Sequence, residues 1–208
     1  MRGILVKRQP EVLAWLKTRR SIRRFAEMEI PRQKIEALLE TAIWAPSAHN
    51  RQPWRFAVVS SQITRQKLAE AMGEVFYADL LSEGMPADQA RQKATRSIQH
   101  IQAAPVAIVL CLDQSDMDVY PDRRRQELET IMAIQSVALA GGQLLLAAHA
   151  EGLGAYWNCA PLFAPNAVRA ALDLPSHWHP QALILAGQPA SQPEPPRRLP
   201  VAEVVRFI

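Results

Sequence analysis

Two short stretches hold residue types that can do chemistry together. The first is Arg19-Arg20-Ser21-Ile22-Arg23-Arg24-Phe25. Guanidinium forks match the geometry of phosphate and carboxylate, so Arg19 and Arg20 can grip an anion while Ser21 and Arg23 reach what that anion is attached to. A plainer reading stands beside it: cations solvated near a helix C-terminus, where the helix dipole favours them. The second stretch is Ala45-Pro46-Ser47-Ala48-His49-Asn50-Arg51-Gln52-Pro53-Trp54, ten residues with five polar side chains and two prolines. A break that only reversed the chain would need fewer, so this loop reads as a site. Asn50 can donate and accept at once, which suits the alternating edge of a pyrimidine-like ring, with Ser47 and Gln52 flanking it. Trp54 reads as core.

An anion grip and a pyrimidine grip together describe the two ends of flavin mononucleotide (FMN). A cation at Arg23 would stabilise the negative charge that builds near N1 and O2 of a reduced isoalloxazine. A third stretch, Gly152-Leu153-Gly154-Ala155-Tyr156-Trp157-Asn158-Cys159-Ala160-Pro161, follows a helix instead of opening one, so it is no dinucleotide fingerprint. Cys159 lacks an assembled His and Asp set that would make it a nucleophile, and a small polarizable residue beside a cofactor fits as well. His49, His100, His149, His177 and His179 show no metal-ligand spacing, and His177 and His179 read as a surface loop after Pro175.

The bulk numbers exclude other classes. With 208 residues, 49% hydrophobic and 21% charged, the chain suits one folded domain over 1–208, or a subunit sharing its core with a partner. The net charge of +4 concentrates at Arg19 to Arg24, Arg123 to Arg125 and Arg197-Arg198. Those are three clusters able to meet anions, without the basic stripe and interleaved aromatics of a nucleic-acid binder. The apolar run Pro105 to Leu112 is too short to span a bilayer, and Lys7, Arg8, Glu11 and Lys17 interrupt any signal core, so a cytoplasmic protein is expected. Cys111 and Cys159 form no disulfide framework.

These stretches need elements to hold them. Helical spacing marks Pro10 to Arg19, a second helix with Pro31 in its first turn, and the charged region from Met72 to His100, broken at Gly84 and Pro86. The longest helix runs from Arg125 to Glu151, and Ile131, Ile134, Ala138, Leu139, Leu145 and Leu146 predict that it is buried on most sides. Gly141-Gly142 inside it predicts a close approach of two helices, a subunit interface being one place for it. Strands are predicted at Trp54 to Val59, with Trp54, Phe56 and Val58 facing one way, at Pro105 to Leu112, up to Asn158, and from Gln181 to Gly187. A helix covers Pro165 to Leu172. The proline-rich tail then ends in apolar Val204, Val205, Phe207 and Ile208, which need something to pack on.

With the three stretches in this order, the chain resembles the nitroreductase family of FMN-dependent oxidoreductases over nearly its whole length, specifically in its first third and more loosely after Gly154. The resemblance implies an α+β fold with a mixed central sheet flanked by helices, and an intertwined homodimer whose C-terminal arm crosses to the other subunit. It implies FMN held by Arg19, Arg20, Ser21 and Arg23, by Ser47, Asn50 and Gln52, by Cys159 and Ala160 near flavin N5, and by Arg198 in the tail. Pro196 stands where the family often has a lysine, so Arg197 is a further phosphate candidate. The implied reaction takes hydride from NAD(P)H to an electron-poor acceptor, with no side chain acting as nucleophile. Tyr120-Pro121-Asp122-x-Arg124, the run Glu151 to Gly154, Leu172 to Pro175 and Trp178 are also similar to the flavin domain fused to the glutamate ligase of deazaflavin coenzyme biosynthesis. That likeness places Asp79 at a substrate wall and makes a deazaflavin precursor an alternative acceptor; a flavin-binding module without turnover is a further alternative.

Overall fold

The computed structural model describes residues 9–208, leaving Lys7 and Arg8 outside the described residues. In chain order the elements are α1 (Gln9–Leu16), α2 (Arg32–Ala42), β1 (Trp54–Val59), α3 (Gln62–Ser82), α4 (Ala87–Gln102), β2 (Val106–Asp113), α5 (Arg123–Ala150), β3 (Gly154–Asn158), α6 (Pro165–Leu172), β4 (Trp178–Gly187) and α7 (Val201–Val204). The sheet order is β1-β2-β4-β3, and every neighbouring pair is antiparallel. The mixed character expected of the sheet is reduced, within one chain, to a single parallel bridge between Ser21 and Ala155.

β2 is buried at all its positions because helices cover both faces of the sheet. Alternation sends Ala107, Val109 and Cys111, with Leu183 and Leu185, toward Leu68, Ala69 and Met72 of α3 and Val168 and Ala171 of α6. The other face carries Val106, Ile108 and Ile184 against α2 and the end of α5, then Leu110, Leu112 and Ala182 against Ala133, Val137 and Ala140 of α5. Trp54 is in that core as expected. Val58 lies at the far end of an edge strand and is exposed, while Val59 is buried on the opposite face. Ser61 starts α3 by accepting from the Thr64 N–H, and Gly84, at φ 85°, turns the chain between α3 and α4.

α5 begins two residues earlier than the apolar pattern indicates, because the Asp122 carboxylate accepts from the Arg125 N–H at 2.9 Å and caps the helix. Arg125 also pairs with Asp122, and Arg123 with Glu127, so two members of that arginine cluster are already neutralised. Past the buried Glu129 near its start, the buried stripe of α5 is made of small residues, Ala133, Ser136, Val137, Ala140, Gly141, Ala147 and Ala148, with Leu144. The large ones named from sequence, Ile131, Ile134 and Leu139, are exposed on the opposite side. By length and composition α5 could cross a membrane, but it lies across all four strands as the core helix. Small residues let it sit close. A Cβ at Gly141 would come within 2.3 Å of the Trp157 ring and 2.7 Å of Leu110, so the close approach is between helix and sheet, not between two helices. Gly142 faces open space within the chain. Gly141→Ala is therefore expected to lower stability by about 1–3 kcal/mol, overpacking outweighing the gain in helix propensity of about 1 kcal/mol. A urea midpoint unchanged from wild type would contradict this packing.

β4 starts three residues before the predicted strand. Pro180 is tolerated inside it because it faces Cys111, where the register of β2 shifts and no ladder bond from Pro180 is needed. His179 is consequently a strand residue opposite Leu112, not a loop residue, although it stays exposed. Beyond β4 the tail pairs with the strip that follows α1: Ala26 N–H donates to Gln188 O at 2.9 Å, and Ala190 N–H to Arg24 O at 3.0 Å. The remainder is exposed, and one helical turn, α7, interrupts its extended course.

Candidate functional site

The strip after α1 runs along β3. Ile22 N–H donates to Ala155 O at 3.2 Å, and Ile22 is buried against Gly154, where a Cβ would come within 2.6 Å of its side chain. Alternation along an extended strip puts the neighbours of this inward residue, Ser21 and Arg23, on the outward side. At the rise of an extended chain, Arg19 to Arg23 spans about 13 Å, room for an anion at one end and a ring at the other. The Arg23 guanidinium lies 5.2 Å from the centroid of the Tyr156 ring. Burial pushes the Tyr156 hydroxyl up, with Arg23 partly opposing.

At the Arg19 end is a cavity of about 210 Å³ lined by Arg19, Arg20, Ile22, His149, Gly152 and Gln192, among others. Arg19, one of the lining residues, has its Nη1 buried without a hydrogen-bond partner. Such an atom is costly unless an acceptor completes it, so the pocket fits a phosphate or carboxylate. Arg20 is engaged elsewhere, since its Nη1 donates to Lys17 O at 2.7 Å and Arg19 O at 2.9 Å and so closes the turn after α1. The two arginines that look equivalent in sequence therefore differ. His149, which sequence reasoning did not single out, stacks on Trp15 with ring centroids 4.9 Å apart, and its Nε2 lies 2.8 Å from Thr18 Oγ1. Burial holds its imidazole below the ordinary range; the Trp15 backbone opposes, and Arg19 and Arg20 push the same way as burial. Local pattern carries no trace of this contact, which joins residues 131 apart in the chain.

The loop between α2 and β1 is anchored on the middle of α5, where Ala48 N–H donates to Ser136 Oγ at 3.1 Å. Ser47 Oγ accepts from the Gln52 N–H at 3.0 Å, and Arg51 pairs with Asp118 at 2.5 Å. His49, Asn50 and Gln52 have φ of 50°, 53° and 51°, the left-handed region, with no glycine among them. Asn tolerates this conformation; His and Gln do so at a cost of order 1 kcal/mol or more each. Strain kept in an exposed polar loop is a mark of a binding segment. Gln52→Gly is expected to raise the melting temperature of the flavin-free protein, by relief of up to about 1 kcal/mol, while weakening flavin binding. A variant no more stable than wild type would show that the loop is relaxed.

Ser136 and His149 are thirteen residues apart on α5, about 20 Å at 1.5 Å per residue. The anion pocket and the Ser47–Gln52 loop thus occupy separate places along this helix within one chain. At the far end of β3, Cys159 is exposed and its Sγ accepts from Trp157 Nε1–H at 3.0 Å, while Ala160 N–H donates to Asn158 Oδ1 at 2.8 Å. Ala160 and Asn158 line a cavity of about 360 Å³ with Met72, Phe76, Asp79 and Phe163. Asp79 and Ala160 therefore share one cavity. Arg197 and Arg198 lie on the exposed tail, and the tail residues that reach the anion pocket are Pro189 and Gln192. Among the described residues no group of three His, Cys, Asp or Glu is placed to hold a metal ion.

The two cysteines separate cleanly. Burial pushes the Cys111 thiol up to about 12, so it stays protonated and unreactive. Ellman's reagent is expected to titrate one thiol per chain in the flavin-free protein, Cys159, and both after unfolding; two rapid thiols in the native protein would contradict the buried placement.

The nitroreductase family profile matches residues 16–188. A Thermus thermophilus protein named NADH dehydrogenase is 34% identical over 90% of this chain and 91% of its own. A Methanothermobacter thermautotrophicus protein, provisionally named NADH dehydrogenase/NAD(P)H nitroreductase, is 32% identical over 88% of this chain and 80% of its own. A chain from Desulfovibrio desulfuricans, provisionally named a nitroreductase and solved in complex with FMN, superposes with a TM-score of 0.72 at 28% identity, covering 95% of this chain and 96% of that one. With the strip, the loop and the turn after β3 in place on this fold, the chain belongs to the nitroreductase family.

Proposed function

We propose that residues 1–208 form one FMN-binding domain of a homodimeric NAD(P)H oxidoreductase, in which each flavin is gripped by both subunits. The observation that carries this reading is the buried, unpartnered Nη1 of Arg19, a residue that lines the cavity at the start of the strip bearing Ser21 and Arg23. Bound there, FMN supplies the hydride relay from a nicotinamide donor to an electron-poor acceptor such as a nitroaromatic, quinone or enone. Arg19 binds the phosphate, with Arg20 holding the turn that aims it and Arg197 or Arg198 adding charge from the tail. Ser21 and Arg23 face the ring edge, where the Arg23 cation favours the reduced state. Ser47, Asn50 and Gln52 grip the pyrimidine edge from the second copy, since α5 separates them from Arg19 of their own chain. Cys159 and Ala160 border the reacting face, and the Asp79 cavity receives the acceptor. These groups bind and orient; none needs to act as a nucleophile.

The dimer itself is supported by two uncovered apolar surfaces. Leu128, Ile131, Ile134 and Leu139 are exposed on α5, and Leu199, Val201, Val204, Val205, Phe207 and Ile208 are exposed on the tail. A contiguous apolar face of this kind marks an interaction site.

The test is the spectrum of the purified protein followed by nicotinamide oxidation. Bound FMN and flavin-dependent NADH or NADPH consumption are expected; a colourless protein that takes up no FMN would overturn the reading. A second reading, reduction of a deazaflavin precursor, uses the same cavity, which Asp79 and Ala160 both line. Titration of the holoprotein with a deazaflavin, followed by FMN absorbance, separates the two. Bound flavin that no nicotinamide reduces would instead identify a flavin-binding module without turnover.

A further inference from the structure

We propose that His149 is the proton-accepting member of the anion pocket, taking up one proton as a phosphate monoester dianion enters and then sharing that anion with Arg19. The proposal rests on the reading of this pocket as the phosphate end of the FMN site, and it assigns a role that the flavin motifs do not include.

The tautomer follows from the hydrogen bonds. Thr18 has one hydroxyl hydrogen, and its 2.6 Å contact with Trp15 O uses it. The 2.8 Å contact between Thr18 Oγ1 and His149 Nε2 must then be donated by the ring. Nε2 carries the hydrogen and Nδ1 the lone pair. Adding a proton at Nδ1 leaves the Thr18 contact in place and gives a ring that lines the cavity a second N–H donor.

The charges around the ring explain why the proton arrives with the anion. Without ligand, burial disfavours the imidazolium, and Arg19 and Arg20 add two like charges from the turn after α1. Two features pull the other way: the Trp15 backbone, and the position of His149 in the last turn of α5, where the helix dipole favours a cation. Lys34 of α2 and Glu151 at the end of α5 lie 3.5 Å apart and largely neutralise each other, and the tail contributes the uncharged Gln192. The balance is therefore against the charged ring until a dianion arrives. An entering phosphate reverses the sign of the local potential, and the stacked Trp15 ring, 4.9 Å away, then faces a cation.

Two consequences have opposite signs. Without ligand, the folded ring resists a proton that the unfolded ring accepts below its ordinary value near 6.5, so His149 lowers stability as the pH falls through that value. With phosphate bound, the folded ring holds its proton to a higher pH than in the unfolded chain. Phosphate affinity then falls as pH rises, by up to about tenfold per pH unit between the empty-site and loaded-site values.

Calorimetry of the full chain freed of flavin tests this at pH 7.5, where the FMN phosphate, with a second pKa near 6, is already a dianion. FMN is titrated in HEPES and in Tris, whose ionisation heats differ, and riboflavin serves as the ligand without phosphate. The expected result is a buffer-dependent heat equivalent to about one proton taken up per FMN and none per riboflavin. His149→Gln is expected to bind FMN without buffer dependence and with an affinity flat between pH 7 and 8.5. Identical FMN heats in both buffers for the wild type, or undiminished proton uptake by His149→Gln, overturn the role of His149 while leaving the FMN site standing. Failure to bind FMN at all overturns both.

Discussion

Arg19→Ala is expected to weaken FMN binding by at least about a hundredfold while leaving the flavin-free protein as stable as wild type or more so. Truncating one partner of a buried, hydrogen-bonded charge pair costs about 2–5 kcal/mol. That cost falls on the complex, where the phosphate would lose its donor. In the flavin-free protein the same guanidinium has a buried, unpartnered Nη1, so its removal relieves a desolvation penalty. Riboflavin, with no phosphate, should bind both proteins alike. Arg20→Ala is the contrast: its Nη1 bonds only the Lys17 and Arg19 carbonyls, so it should lower stability by about 1 kcal/mol and FMN affinity only secondarily. Quenching of flavin fluorescence on titration, with thermal melts of the flavin-free proteins, gives both numbers. Equal FMN affinity for Arg19→Ala and wild type would contradict the anion-pocket assignment.

Removing residues 199–208 is expected to convert the proposed dimer to a monomer at micromolar concentration. The segment carries Leu199, Val201, Val204, Val205, Phe207 and Ile208, all exposed in the single chain. Full burial of one such side chain is worth about 1.5–3 kcal/mol. Six of them exceed the ordering and association costs of a stable interface, even allowing for partial burial. The cut leaves Arg197 and Arg198 in place, so it tests the apolar arm apart from the charges. Because these side chains are exposed in their own chain, intramolecular packing should survive and the loss should appear in sedimentation and in flavin retention. A truncated protein that sediments as an unchanged dimer would show that the arm does not hold the subunits together.

The elements were legible in the sequence wherever one residue pattern decided the matter. Trp54–Val59, the buried β2 and the break at Gly84 all follow from local alternation and turn chemistry. The buried face of α5 was not legible, because hydrophobicity points to Ile131, Ile134 and Leu139 whereas the sheet admits only the small residues beside Gly141. Strand direction was equally hidden, since a continuous apolar run reports coverage of both faces and says nothing of parallel or antiparallel neighbours. In the site, the polar loop from Ser47 to Gln52 stood out by composition, and its left-handed backbone gives that composition a physical meaning. The difference between Arg19 and Arg20 depends on which carbonyls each guanidinium finds, and His149 depends on a contact between distant segments. Neither leaves a signature in spacing. Asp122, part of the string similar to the deazaflavin-linked domain, is accounted for by its role as the cap of α5, which lightens that string as evidence for a substrate.

A mixed dimer of two variants shows whether each flavin is held, as proposed, by Arg19 of one subunit and Asn50 of the other. Arg19→Ala and Asn50→Ala chains carrying different affinity tags are co-expressed, and the heterodimer is isolated and its FMN counted. Each parent homodimer should retain almost no flavin. The mixed dimer should retain one FMN, because one of its two sites inherits both wild-type residues while the other inherits both substitutions. A mixed dimer as empty as its parents would mean that both grips on each flavin come from a single chain, and the shared-site account would be wrong.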